Sequence, residues 1–284
     1  MLRRSSGIIA DMNIEPQLCP EECAAPLLGT DEPGPFEVYN PGGTVPLVIV
    51  SDHASRRVPL TLKNLGLTTA DFDKHIAYDI GADAITRCLA DRLGARAVLG
   101  TYSRLVVDLN RQPGDPGSIP AVSDGVPVPA NQGLSADEAM CRIETLHTPY
   151  HEAINREIAT LWHQTGQPPA VFSIHSFTPS MNGQDRKWDV GVLWNRDPRL
   201  PKALIEHQSR WEGLCVGDNE PYSGRDLAYT LDMHGTAGGL ACAAVEIRQD
   251  HCATPEEASH WADILADALR HALAQPNIHT VERY

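Results

Sequence analysis

Two short apolar runs in this chain share one design. Leu47-Val48-Ile49-Val50 and Ala170-Val171-Phe172-Ser173-Ile174 are rich in β-branched or aromatic residues, and each leads to a histidine, His53 and His175. Runs of this length, bounded by turn residues, predict buried strands. A third run over 243–248 is apolar apart from Glu246 and its end, and shorter strands are predicted over 96–99, 104–108, 189–194 and 214–216. Helical spacing recurs between them. It runs over 70–93 through Phe72, Ile76, Ile80, Ala84, Leu89 and Leu93, with Gly94 placed as a C-cap. It returns over 135–161, where Ser135 and Glu138 fit a capping box and Pro149 should break or kink the helix. Further helices are predicted over 202–211 and 255–274, the last with Ala258, Trp261, Leu265, Ala268 and Leu269 on one face. Strands alternating with helices predict an α/β fold, a mainly parallel sheet flanked by helices on both faces.

Outside this pattern, residues 1–44 are dense in Pro, Glu and Gly, which predicts a poorly ordered N-terminal arm with 36–39 docking on the body. Residues 45–284 are expected to form a single catalytic domain. The stretch 112–133 is rich in Pro, Gly, Ser and Asp and long for a connection, which points to a functional loop.

A net charge of −14 argues against nucleic acid or an anionic membrane as partner, while local arginines leave room for a small anionic substrate. Nothing approaches the roughly 18 apolar residues of a membrane span. No apolar segment follows Arg3-Arg4, and the 7 scattered cysteines contain no CxxC pair. A reducing cytoplasm without disulfides is therefore expected.

The strand exits carry the candidate chemistry. A lone histidine at the edge of a sheet can be a core residue satisfied by a neighbour; two delivered alike look like one site. Amide-hydrolysing zinc centres use three nitrogen or carboxylate ligands and keep one position open. Asp79 is the chosen third ligand, read as lying on the first helix, against the alternative of a solvated helix face. Asp52 competes, but as the strand neighbour of His53 it should point the other way. Arg104 and the run Asp108-Leu109-Asn110-Arg111 could present a guanidinium to a carboxylate, or close a loop on Asp108 or Asp115. Glu246 in its apolar run fits a general base, or a partner for Arg248 or Asp250. His147 and His151 lack the Glu of HExxH, so His151 is read as a support behind the ligands. No GxSxG, GxGxxG or Walker pattern is present.

Together these stretches resemble the N-formylglutamate amidohydrolase family. The likeness rests on Ser51-Asp52-His53-Ala54-Ser55, on His75 to Ala82, and on Tyr102 to Arg111. It continues through Pro149-Tyr150-His151, Ser173 to Phe177, Asp218 to Tyr222 and Val245 to Asp250. The family in turn is similar to the zinc carboxypeptidases, whose fold is a mixed sheet between helices. Their first motif is His-x-x-Glu, whereas Arg56 stands three residues after His53 here.

The resemblance implies a metal-dependent amidohydrolase acting on an N-acyl acidic amino acid, N-formyl-L-glutamate giving L-glutamate and formate. It implies one zinc or other divalent ion on His53, Asp79 and His175, Glu246 as base, and Arg104 stabilising the oxyanion. Asn110 and Arg111 would hold a substrate carboxylate, with Ser176, Asn195, His234 and Arg248 as further substrate contacts. Two rivals stand beside this reading: a zinc peptidase or deacylase for another acyl group, and a silent ligand-binding relative without the metal.

Overall fold

In the computed structural model, which describes residues 26–181, 183–208 and 213–284, the apolar runs form the middle of one sheet. In chain order the strands are β1 (Phe36–Tyr39), β2 (Leu47–Ser51), β3 (Arg96–Gly100), the short arms β4 (Val122–Ser123) and β5 (Val126–Pro127), and β6 (Ala170–Phe177). Then come the arms β7 (Ser180–Met181) and β8 (Gln184–Asp185), and β9 (Val190–Leu193), β10 (Val216–Asp218) and β11 (Cys242–Arg248). Seven of them make the order β1-β3-β2-β6-β11-β9-β10, while β4–β5 and β7–β8 are separate hairpins. β3, β2, β6 and β11 run parallel; β1 and the β9–β10 pair are antiparallel to their neighbours β3 and β11. The sheet is thus mixed and mainly parallel.

The helices are α1 (Ala82–Leu93), α2 (Ala136–Arg142), α3 (Thr148–Thr165), α4 (Arg199–Gln208), α5 (Tyr229–His234) and α6 (Pro255–Leu273). Leu47, Ile49, Phe172, Ile174 and Val245 pack with Ile85 and Leu89 of α1, Leu204 of α4, and Trp261 and Leu265 of α6. The alternate residues Val48, Val50, Val171 and Ala244 pack with Tyr150, Ile154 and Leu161 of α3 and Leu231 of α5. Burial on both faces explains why β2 and β6 read as unbroken apolar runs. The same period of two sets the chemistry. His175 follows Val171 and Ser173, and Glu246 follows Cys242 and Ala244, so both share a face, and Glu246 stands directly beside His175 in the register.

Several elements differ from the sequence reading. α1 starts at Ala82, and Asp79 lies in the loop ahead of it. Gly81 has φ 83° and a Cβ there would come within 2.3 Å of Cys252 O, so the chain turns sharply before the helix begins. Residues 104–106 form a turn and 107–108 are irregular, with Val106 N–H donating to Ser103 O (2.9 Å) and Asp108 N–H to Ser118 O (2.7 Å). Leu105, Val106 and Val107 are apolar because this loop is buried. Pro149 sits in the first turn of α3, and a π-helical turn over Ile143–His147 joins α2 to it, so the helical run continues through this region with its α-pattern interrupted just before the proline. α4 is described over Arg199–Gln208, with 209–211 of the expected helix outside the described residues, and β10 lies two residues later than expected.

Of the expected arm, residues 1–25 are outside the described residues, and Phe36–Tyr39 forms the edge strand on β3. Cys141 is disulfide-bonded, against the expectation of reduced cysteines, while Cys88, Cys215, Cys242 and Cys252 are free. Spacing along the chain carries no information on which thiols a fold brings together. Among the described residues no helix is long and apolar enough to cross a membrane.

Candidate active site

The ends of β2 and β6 and the loop before α1 meet in a buried cluster. Asp79 N–H donates to His53 O at 3.0 Å, which pins this loop beside the exit of β2. Asp79 Oδ2 lies 2.8 Å from His175 Nδ1 and 3.2 Å from His53 Nδ1. One ligand atom from each of the three residues falls within 4.8 Å of the others.

The far nitrogen of each ring is backed by a polar partner. His53 Nε2 is 2.7 Å from Asp108 Oδ1. His175 Nε2 is 3.0 Å from Ser173 Oγ and 3.2 Å from Asp52 Oδ2, the latter a close ion pair rather than an aligned hydrogen bond. Asp52 Oδ1 in turn accepts from the Tyr150 hydroxyl (2.8 Å) and Thr230 Oγ1 (2.9 Å). Carboxylates accept only, so an Nε2–H facing one leaves the Nδ1 lone pair directed at Asp79.

Two imidazole nitrogens facing one carboxylate oxygen at these distances need positive charge between them. Burial opposes the imidazolium of His53, as does Arg104, yet Asp108 and Asp79 outweigh them and its pKa is raised. Burial likewise opposes the charged form of His175, but contacts with Asp52 and Asp79 raise its pKa well above the ordinary value. Burial pushes Asp79 up while the histidines pull it further down, so it stays ionised. Asp52 is held down at about 2, burial being overcome by His175, His53 and Tyr150. The donor set of two imidazole nitrogens and one carboxylate fits a zinc-like ion.

A cavity of about 370 Å³ opens over this cluster, lined by His53, Asp79 and His175 and also by Arg104, Asn110, Arg111, Ser176 and Glu246. Glu246 Oε2 is shielded from solvent and has no hydrogen-bond partner. Burial, reinforced by Asp79 and opposed by His175 and Arg104, raises its pKa to about 7. Arg248 pairs instead with Asp189 (3.3 Å) and Asp250 (2.8 Å). Arg104 donates to Asp108 Oδ2 through Nε (3.1 Å) and Nη2 (2.7 Å), and to Asp79 Oδ1 through Nη1 (3.3 Å), so it both closes its loop and lines the cavity. Asn110 Oδ1 accepts from Thr230 N–H at 3.0 Å. Ser176 Oγ accepts from Gln249 Nε2 at 3.4 Å.

Asn195, His234 and Arg248 are not among the residues lining this cavity. Asn195 Nδ2 donates to Asp232 Oδ1 at 3.3 Å. His234 Nε2 meets His151 Nδ1 at 2.7 Å in a stacked pair behind the site, and His151 Nε2 reaches Leu109 O at 2.9 Å. The backing of the ring nitrogens by Asp108 and Asp52 was missed as a role. Both residues stood in the motifs, but which ring each faces is decided by the fold. The loop 112–133 contributes Gly117, Pro120 and the β4–β5 hairpin to the wall.

A mixed α/β sheet whose strand ends gather two histidines, a shared carboxylate and an unpartnered glutamate defines a candidate metal-centred hydrolytic site. Comparison with known proteins narrows the class. The family model of N-formylglutamate amidohydrolase matches residues 45–253. A Pseudomonas aeruginosa protein named N-formylglutamate deformylase is 34% identical over 253 residues, covering 80% of this chain and 90% of that one. The solved structure of an Agrobacterium tumefaciens gene product is 32% identical, with a TM-score of 0.84 over 87% of this chain and 98% of the other. An N-formylglutamate amidohydrolase from Ralstonia eutropha shares the fold at 20% identity, with a TM-score of 0.58 over 84% of this chain and 97% of its own. The chain belongs to the N-formylglutamate amidohydrolase family.

Proposed function

We propose that the protein is a metal-dependent amidohydrolase that cleaves N-formyl-L-glutamate to L-glutamate and formate. The observation that carries this reading is the convergence of His53, Asp79 and His175 beside an unpartnered Glu246, in a chain 34% identical to a named N-formylglutamate deformylase. Asp79 supports an active enzyme over a silent relative, because it supplies the carboxylate missing three residues after His53. A divalent ion held by the three residues supplies Lewis-acid activation of water and of the amide carbonyl.

The chain's own groups account for the rest. Glu246, raised to about 7 by burial, takes the proton of the attacking water and returns it to the departing amide nitrogen. Arg104, fixed by Asp108 and Asp79, places positive charge where the oxyanion develops. Asn110 and Arg111 hold the α-carboxylate of the substrate at the cavity wall. His151 holds the Leu109 carbonyl and so positions that pair.

The test is formate release from N-formyl-L-glutamate by the purified, metal-loaded protein, alongside Arg111→Ala. Stoichiometric formate and glutamate are expected, with kcat/KM falling by roughly 10²-fold in the variant. Failure of the wild type on this substrate, with turnover of other N-acyl amino acids, would move the assignment to another acyl group.

A further inference from the structure

An N-acyl acidic amino acid carries two carboxylates, and Asn110 with Arg111 provides for one. The cations around the cavity are not equally available for the other. Arg104 is committed to Asp108 and Asp79. His75 lies 3.2 Å from Asp124 across the mouth. Arg186, just after the β7–β8 hairpin, does not itself line the cavity but packs against residues that do, and it makes no ion pair within 4.0 Å among the described residues.

Its surroundings are unusual for an arginine left without a counter-charge. The guanidinium lies over the Tyr222 ring at 4.8 Å and the Phe177 ring at 5.5 Å. Its side-chain hydrogen bonds are Nη2 to Met181 Sδ (2.7 Å) and Nη1 to Thr178 O, a long contact at 3.5 Å. All four of these neighbours, Phe177, Thr178, Met181 and Tyr222, line the cavity. A thioether is a weak acceptor, and a guanidinium has five N–H donors. The group is therefore half-buried against two rings, with a thioether, a distant carbonyl and the Tyr222 hydroxyl as neutral neighbours and no carboxylate. That is the state of a preformed anion receptor, whose fork matches a carboxylate. Phe177 lies two residues beyond His175 on β6, about 7 Å further along the strand, a distance suited to the far end of a short dicarboxylic acid.

We propose that Arg186 is the specificity-determining residue that receives the side-chain carboxylate of the substrate, while Asn110 and Arg111 hold the α-carboxylate. This rests on the amidohydrolase reading above. The bland alternative is a cation–π prop that fastens the hairpin to the wall, and it predicts no dependence on substrate charge.

The deciding experiment compares kcat/KM for N-formyl-L-glutamate and N-formyl-L-glutamine in the metal-loaded wild type, Arg186→Gln and Arg186→Lys. The wild type should prefer the glutamate substrate, and Arg186→Gln should lose roughly 10–100-fold more on glutamate than on glutamine. Arg186→Lys, which keeps the charge but not the fork, should retain an intermediate preference. An equal loss on both substrates, or an unchanged preference, overturns the role of Arg186 while leaving the amidohydrolase reading in place. Absence of wild-type hydrolysis of either substrate overturns that reading, and the assignment of Arg186 falls with it.

Discussion

Glu246 is the residue whose environment is hardest to explain without chemistry. Its Oε2 is shielded and has no hydrogen-bond partner, and the anchor its sequence neighbourhood suggests, Arg248, is taken by Asp189 and Asp250. A structural carboxylate would have a cation or a donor. Glu246→Gln should therefore leave metal content and Tm nearly unchanged while turnover falls by at least ~10²-fold. The base must be deprotonated, so the wild-type rate should fall as pH drops through its pKa. That value is about 7 with the positive charge of His175 and His53 already acting on it, so the acid limb belongs near pH 7. A large loss of stability in the variant would instead mark Glu246 as an anchor. Histidines and a glutamate in apolar runs could be singled out from sequence, because a polar group at such a position needs a reason. Asp79 could be named only from the need for a third ligand. The pairing of Asp108 with His53 and of Asp52 with His175 spans 55 and 123 residues, a separation that no local pattern encodes.

At the scale of elements, α3 and α5 meet behind the site through a histidine pair. His151 Nε2 faces the Leu109 carbonyl, and His147 Nε2 faces the Arg111 carbonyl at 3.0 Å, so α3 and the π-helical turn before it grip the loop on both sides of Asn110. Burial lowers His151 to about 3, with His147 and His234 adding to the shift, and lowers His234 to about 4. Their ordinary value is 6.5, so between that pH and about 4 the unfolded chain binds more protons than the folded one. Their contribution is intact above pH 6.5 and is lost as pH falls, at up to about 1.4 kcal/mol per pH unit per proton. Thermal unfolding across pH 4 to 7 should show this acid slope, and His234→Asn should flatten it; an unchanged slope would assign the effect to the carboxylates. The long elements were legible because their periods are strong. β2, β6 and β11 fall on the predicted apolar runs, and α6 spans Pro255–Leu273 behind its Thr254–Glu257 capping box. Residues 104–108 were not, since a buried loop and a buried strand present the same short apolar run.

The whole molecule joins a strongly acidic chain to a cavity that gathers Arg104 and Arg111, with Arg186 stacked on its wall. A small anion can enter where local guanidinium groups override a net charge of −14. The alternation of strands and helices made the layered α/β class readable, but not the reversal of β9 against β11, because strand direction depends on connections rather than on periodicity. The central claim is that one divalent ion on His53, Asp79 and His175 is required for hydrolysis. The most direct measurement is formate release from N-formyl-L-glutamate as chelator-stripped protein is titrated with zinc. The stripped protein should be inactive, with the rate rising linearly to a plateau at one ion per chain, and His175→Ala should neither hold the ion nor recover. Full activity after stripping, or full metal occupancy in His175→Ala, would contradict the account.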